Sequence, residues 1–301
     1  MNAVKSATTP QATAPHPSAQ GYALAMLVVG IWSGFILVSR SGGISVLTSW
    51  DIMAIRYATA TALLLPYWWF WRRTALLQPH SVALAALGGL AYGVLAFASF
   101  KLAPAAHAAV LLPGLQPFAA ALVAWWWLHE VPHRGRVIGL CVIALGVLCL
   151  GVDSALRGSR VAVGDVLMVG ATMCWAAYSV LLRRWQVAPW DATLAVTLVT
   201  AMLYLPVYVL ALPTHLAQAA WSDIALQALY QGLIATIVQM LLYVRTVSLI
   251  GPTRLGMLMA LVPGLAGVAA VPLLGEALSA WVLAGLVLVG LGAWLGNQLR
   301  R

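Results

Sequence analysis

Along the chain, apolar residues gather into runs of about 20, the length an α-helix needs to cross a bilayer core at 1.5 Å per residue. Short stretches holding Arg, Asp, Glu, Pro and Ser separate them. Ten such segments can be marked, at about 21–39, 51–70, 82–100, 107–128, 135–151, 164–182, 191–210, 224–244, 253–274 and 280–297. Runs this long indicate helices rather than barrel strands, which span in about 9–11 residues. About 80 residues remain for nine loops once ten spans of about 20 are set aside, so no loop can hold a soluble domain.

Composition narrows the class further. The chain is 63% hydrophobic and 8% charged, with a mean hydropathy of +0.94. Average soluble domains carry about 25% charged residues, so a soluble enzyme and a nucleic-acid binder are both excluded. The bilayer is the expected partner, with a small-molecule substrate. Cys141, Cys149 and Cys174 all fall inside apolar runs and form neither a disulfide framework nor a C-x-x-C metal site. Residues 1–20, rich in Ala, Thr, Pro and Ser, read as a disordered tail on the cytoplasmic side, with no cleaved signal peptide expected.

The net charge of +9 matters through its distribution. With the N-terminus in the cytoplasm, that side carries Lys5, Arg72, Arg73, Arg134, Arg136, Arg183, Arg184, Arg245, Arg254, Arg300 and Arg301; the other carries Arg40, Lys101, Arg157 and Arg160. Eleven against four satisfies the positive-inside rule with both termini cytoplasmic, which fits a multi-pass protein of a bacterial inner membrane. Trp68, Trp69 and Trp71, and Trp125, Trp126 and Trp127, close two spans where an interfacial aromatic belt sits. Gly30/Gly34, Gly89/Gly93, Gly135/Gly139 and Gly292/Gly296 have the four-residue spacing that lets helices approach closely.

The two halves of the chain repeat one another. Pro117, Glu130, Gly139 and Gly146 recur as Pro263, Glu276, Gly285 and Gly292 at one offset of 146. Gly21, Trp32 and Arg40 recur as Gly164, Trp175 and Arg183, and Trp50, Asp51 and Pro66 as Trp190, Asp191 and Pro206. The reading is therefore an all-α integral membrane protein with ten transmembrane helices in two inverted five-helix repeats, 21–152 and 164–297. Five is odd, so the second copy enters the membrane upside down, the design of many secondary transporters.

These residues resemble the EamA-type members of the drug/metabolite transporter superfamily over about 21–297. Trp32, the segment Ala105 to Glu130 with Pro117, and the second copy ending Pro263 to Glu276 carry the resemblance, and a Gly-rich helix follows each Glu. It implies a ten-helix secondary transporter, often an exporter of amino acids or other small metabolites, with a cavity lined mainly by the first, third and fourth helices of each repeat. The related four-helix exporters use a carboxylate in their first helix, whereas here the first acid is Asp51. All seven acids sit at predicted helix ends or loops, so no buried carboxylate is expected as a proton carrier. Proton coupling would need another group such as His107; otherwise the protein is a uniporter.

His129, Glu130 and His133 spell H-E-V-P-H, a formal match to a zinc-protease motif whose chemistry needs both His on one face of a continuous helix. An intramembrane metalloprotease is thus the alternative from another class. Pro132 disfavours that helix, and the second repeat keeps only the Glu, as Glu276. Gly164/Asp165 echoes an aspartyl intramembrane protease, but Ala162 stands where that motif needs Gly. A membrane scaffold without transport is a third reading, which the duplication disfavours.

Arg56 is the charge placed within a span, with Val196 at its copy. Two readings stand: it reaches up to Asp51 or the headgroups, or it binds an anionic group of a substrate. His107 and Gln116 in the fourth span, and Gln231 and Gln239 in the eighth, should face protein or water. Pro113 and Pro117, and Pro263 and Pro272, interrupt the fourth and ninth spans, and paired interruptions point to a midplane site. Trp32, Tyr92, Phe97, Trp175, Tyr178 and Tyr243 are aromatics that the resemblance places around the cavity. Trp32, Arg56, Tyr92, Phe97, His107, Gln116, Trp175, Tyr178, Gln239 and Tyr243 are accordingly the expected substrate site, suited to neutral, zwitterionic or aromatic solutes. No cofactor, metal or catalytic residue is expected, and the protein is a monomer or homodimer.

Overall fold

The computed structural model describes residues 19–131 and 134–298. The tail expected over 1–20 lies outside these residues except for Ala19 and Gln20, which already belong to the first helix. Pro132 and His133 also lie outside them.

All regular structure among the described residues is helical. The helices are α1 (Ala19–Ile44), α2 (Ser49–Phe70), α3 (Pro79–Phe100), α4 (Ala105–Leu128), α5 (Arg134–Arg157), α6 (Ser159–Arg184), α7 (Pro189–Ala211) and α8 (Trp221–Ile250). Two half-helices, Pro252–Met259 and Val262–Leu274, form α9, and α10 is Ala280–Gln298. Eight of these are long and apolar enough to cross a membrane. That is two fewer than the hydropathy runs suggested. In α2, Arg56 and the Thr, Tyr and Trp side chains dilute the apolar window, and in α10 the apolar stretch runs only from Ala280 to Gly296.

Local chemistry fixes several helix ends. A capping box opens α2: Asp51 N–H donates to Thr48 Oγ1 at 3.0 Å, and Thr48 N–H donates to Asp51 Oδ2 at 2.8 Å. At its other end α4 stops on His129 in the left-handed region (φ 55°), and α9 stops on Gly275 (φ 68°). The next residue in each case reaches back, Glu130 N–H to Ala124 O at 3.3 Å and Glu276 N–H to Ala270 O at 3.4 Å. These stops are 146 residues apart, at the offset of the sequence repeat.

Packing exchanges the two halves. Helix α1 lies against α8 and α9, while α6 lies against α3 and α4; α2 meets α8, and α7 meets α3. α5 and α10 run along each other through glycines. A Cβ on Gly139 would sit 2.6 Å from Gly292 O, and one on Gly292 would sit 2.7 Å from Gly139 O. Backbones that close leave no room for a side chain.

The two ends of the bundle differ in polar layering. At the first, Arg40 Nε donates to Glu276 Oε1 and Arg40 Nη1 to Phe100 O, both at 2.6 Å, while Glu276 Oε2 accepts from Ala105 N–H at 2.7 Å. Glu276 therefore sits at the start of α4, whereas Glu130, its sequence copy, follows the end of α4. At that second end Arg183 Nη2 donates to Glu130 Oε2 at 2.8 Å, and Arg72 pairs with Asp191 at 3.0 Å.

Candidate functional site

The site is built where α4 and α9 lose their regular winding. In α4 the turn over Val110–Gly114 is wider than an α-turn and contains Pro113; Leu115 N–H donates to Val110 O at 2.9 Å before Gln116 and Pro117 restart the helix. In α9 the break falls between Met259 and Val262, with Pro263 following. Leu115 and Leu261 take nearly the same backbone angles (ψ −15° and −21°) and stand 146 residues apart. Proline supplies no N–H to the preceding turn, so its partner carbonyl is left for a neighbour, water or solute.

Beside these breaks lies a central cavity of two lobes, about 390 Å³ and 460 Å³. Trp32, Tyr92, Trp175 and Tyr243 line both. Gln116, Pro113, Pro117 and Pro263 line the first lobe, and Arg56, Tyr178 and Gln239 line the second. Trp175 is the hub of the wall: its ring centroid lies 6.2 Å from Trp32, 5.0 Å from Tyr92 and 4.9 Å from Tyr178. Three lining side chains hold buried polar atoms without a protein partner: Trp32 Nε1, Gln116 Oε1 and Gln239 Oε1. Such atoms are uncommon in folded interiors and mark groups that a solute or water can satisfy.

Arg56 does not reach Asp51. The Asp51 carboxylate is taken up by Thr48 N–H, Tyr208 OH at 2.6 Å, Thr214 Oγ1 at 2.8 Å and His215 N–H at 3.0 Å. The Arg56 guanidinium instead lies 5.7 Å from the Phe35 ring centroid and 5.9 Å from that of Tyr57, with Gln231 Oε1 at 3.4 Å from Nη1. Phe35 and Tyr57 were not singled out in the sequence; only the location of Arg56 within a span could have pointed to rings beneath it.

Eight of the ten expected site residues thus share one cavity, and two do not. Phe97 is 1% exposed and packs in the core. His107 is fully buried at the Arg40–Glu276 end, with Nδ1 3.0 Å from Asp165 and Nε2 2.9 Å from Asp153. Both ring nitrogens face carboxylate oxygens, so the ring bridges α5 and α6. Ser279 and Arg157 also bond Asp153, and Ser154 bonds Asp165. Two helix-end carboxylates are nevertheless buried: Asp153 is 2% exposed and Asp51 fully buried. Both lie at helix ends, as the sequence indicates, but those ends are packed under neighbouring segments.

The ends also differ in exposure. The Arg40 and Glu276 side chains are 15% and 13% exposed, whereas Arg183 and Glu130 are 57% and 50% exposed. At the exposed end the cavity lobes reach Arg136, Gly296, Leu182 and Pro189. Lys101 lies at the buried end outside the spans, with its ammonium on Ser45 O at 3.0 Å, and burial pushes its pKa down. Arg72, at the Arg183–Glu130 end, has its pKa pushed up by its hydrogen bonds and charge pairing with Asp191.

Comparison with known proteins is decisive at the level of family. The EamA-like transporter family model matches twice, over residues 19–152 and 162–297. The chain belongs to the EamA-like transporter family. It is accordingly a multi-pass membrane protein of the transporter class within the drug/metabolite transporter superfamily, acting on a small molecule in a lipid bilayer. One solved structure, described only as a crystal structure of protein, superposes with a TM-score of 0.62 at 20% identity, covering 94% of this chain and 99% of the other. At that identity the likeness concerns the fold alone. No curated protein matches the chain.

The described part of the H-E-V-P-H segment, His129 to Val131, departs from the continuous helix of the zinc-protease motif. Helix α4 ends at Leu128, His129 takes a left-handed conformation and Glu130 points to Arg183, so the described part of the motif is not helical. His133 lies outside the described residues.

Proposed function

We propose that the protein is a secondary transporter, an exporter of small metabolites such as amino acids or of drug-like solutes, working by alternating access of two inverted repeats. Ten spans over 21–152 and 164–297, with both termini cytoplasmic in a bacterial inner membrane, complete the reading. The reciprocal ion pairs carry it. Arg40 of the first repeat binds Glu276 of the second, and Arg183 of the second binds Glu130 of the first. Equivalent pairs at opposite ends of α4 support inversion of one copy relative to the other.

Two symmetric gates should be interchangeable, yet one is buried and the other exposed. Such asymmetry suits one of two exchanged conformations, closed at the Arg40 end and open at the Arg183 end. With the positive-inside assignment, this is the inward-open state. The lining of Trp32, Tyr92, Gln116, Trp175, Tyr178, Gln239 and Tyr243 suits a solute with an aromatic or apolar body that hydrogen-bonds to amides. In this reading Phe97 packs behind the cavity and His107 belongs to the outer gate.

Uptake and efflux of a solute panel by proteoliposomes under imposed pH gradients tests the proposal. Solute-specific flux that Ala at Trp32 or Trp175 lowers, with folded protein retained, is expected; no flux of any solute in either direction would contradict it. Orientation is checked separately in a background lacking the three native cysteines. A cysteine at Val46 is expected to be labelled from outside the cell, and one at Gln78 only after permeabilisation.

A further inference from the structure

Arg56 sits about 10 Å along α2 from its first residue, at 1.5 Å per residue. A guanidinium stays protonated at any pH the protein meets, so this side chain is a permanent charge. Among the described residues it makes no ion pair; its polar contact is the long one to Gln231, and its other neighbours are the Phe35 and Tyr57 rings. Among the described residues, neither cavity lobe is lined by an Asp or Glu. Asp51, the acid nearest in sequence, is held by four other groups.

A buried or half-buried charge needs a counter-charge, and intramembrane ionisable residues that lack one mark substrate pathways. Here the second lobe has the Arg56 cation, aromatic walls and unpaired hydrogen-bonding atoms at Trp32 and Gln239 but, among the described residues, no anion. A planar guanidinium fork matches a carboxylate through two parallel hydrogen bonds. Among the described residues the cavity holds no carboxylate to receive an ammonium group.

We infer that Arg56 is the anion receptor of the central cavity and that the solute is a small organic monoanion. Its carboxylate pairs with the guanidinium, and its apolar or aromatic body packs against Trp32, Trp175, Tyr178 and Tyr243. The inference rests on the transporter reading and names the substrate class for that same site. Arg56 sets specificity because a neutral isostere leaves its charge unpaired in the cavity.

The test is binding by purified full-length protein in detergent, measured by calorimetry for matched pairs: 3-phenylpropionate, indole-3-acetate and octanoate, each against its primary amide. At least one carboxylate is expected to bind, with its amide weaker by about tenfold or more, the discrimination typical of a charge-assisted bidentate contact. Arg56→Gln is expected to abolish that difference by weakening the acid. Arg56→Lys should recover part of it, keeping the charge without the fork. Amides binding as well as acids, no binding of any acid, or an Arg56→Gln variant that still prefers the acid would overturn the inference. If Arg56→Gln does not fold, the acid and amide comparison on the unaltered protein decides alone. Flux of the same pairs into proteoliposomes separates the two readings. Bound acids that never cross would contradict transport and leave the receptor assignment; acids and amides crossing equally would do the reverse.

Discussion

At the scale of single residues, His129 and His107 show how much a position says that a residue type does not. His129 carries the helix-stopping φ of 55° that Gly275 supplies without a side chain in the other repeat. A non-glycine residue in that region costs about 1 kcal/mol, so His129→Gly is expected to raise stability by about 0.5–1 kcal/mol, read as a higher thermal unfolding midpoint in detergent. A fall in the midpoint would show that the imidazole has a role of its own. His107 stands between two carboxylates, and His107→Gln removes the ring whose two nitrogens bridge Asp153 and Asp165. Breaking one member of such a buried set costs about 3 kcal/mol or more, and the same unfolding assay checks it.

Eight of the ten expected residues line one cavity, and the other two lie apart from it for physical reasons. Tyr92 and Phe97 are five positions apart, hence about 140° apart around α3, and cannot both face one cavity. His107 lies nine positions before Gln116, about 13 Å away along the helix, which places it near the end of the bundle rather than at the break. The direction of Arg56 was not legible, because a long side chain in a span can rise to the surface or turn inward. That choice depended on the partners of Asp51, which come from residues such as Tyr208 and His215, far off in sequence.

At the scale of elements, the repeat offset was legible and its consequences are geometric. Equal offsets place the helix stops, the backbone breaks at Leu115 and Leu261, and the paired carboxylates Glu130 and Glu276 at matched positions. Glycine spacing was a weaker guide. Gly139 and Gly292 touch backbone to backbone, but a Cβ on Gly30 would meet nothing within 4 Å. Gly139→Ala is therefore expected to separate α5 from α10 and cost about 1–3 kcal/mol, outweighing the gain of about 0.5–1 kcal/mol in helix propensity. Gly30→Ala should be neutral or mildly stabilising. Thermal unfolding of the two variants side by side checks the contrast, and equal midpoints would contradict the packing described here.

At the scale of the whole molecule, hydropathy located the spans except where function and geometry intrude. Helix α2 is too polar to count by composition because it carries Arg56, the charge assigned to the cavity. Its burial against α7 and α8 compensates, a long-range effect that no local window of sequence contains. Long-range pairing also explains the sealed end, where α1, α4, α5, α6 and the segment before α10 share one polar layer.

Alternating opening of the two ends is checked by paired distance measurements. Spin labels at Val46 and Ala277 report the sealed end, and labels at Val131 and Val187 report the open end, each pair measured by double electron–electron resonance in liposomes. The account predicts two distance populations for each pair that exchange in opposite senses when a transported solute is added, the sealed-end distance lengthening as the open-end distance shortens. A single fixed distance at both ends, or both pairs lengthening together, would contradict alternating access.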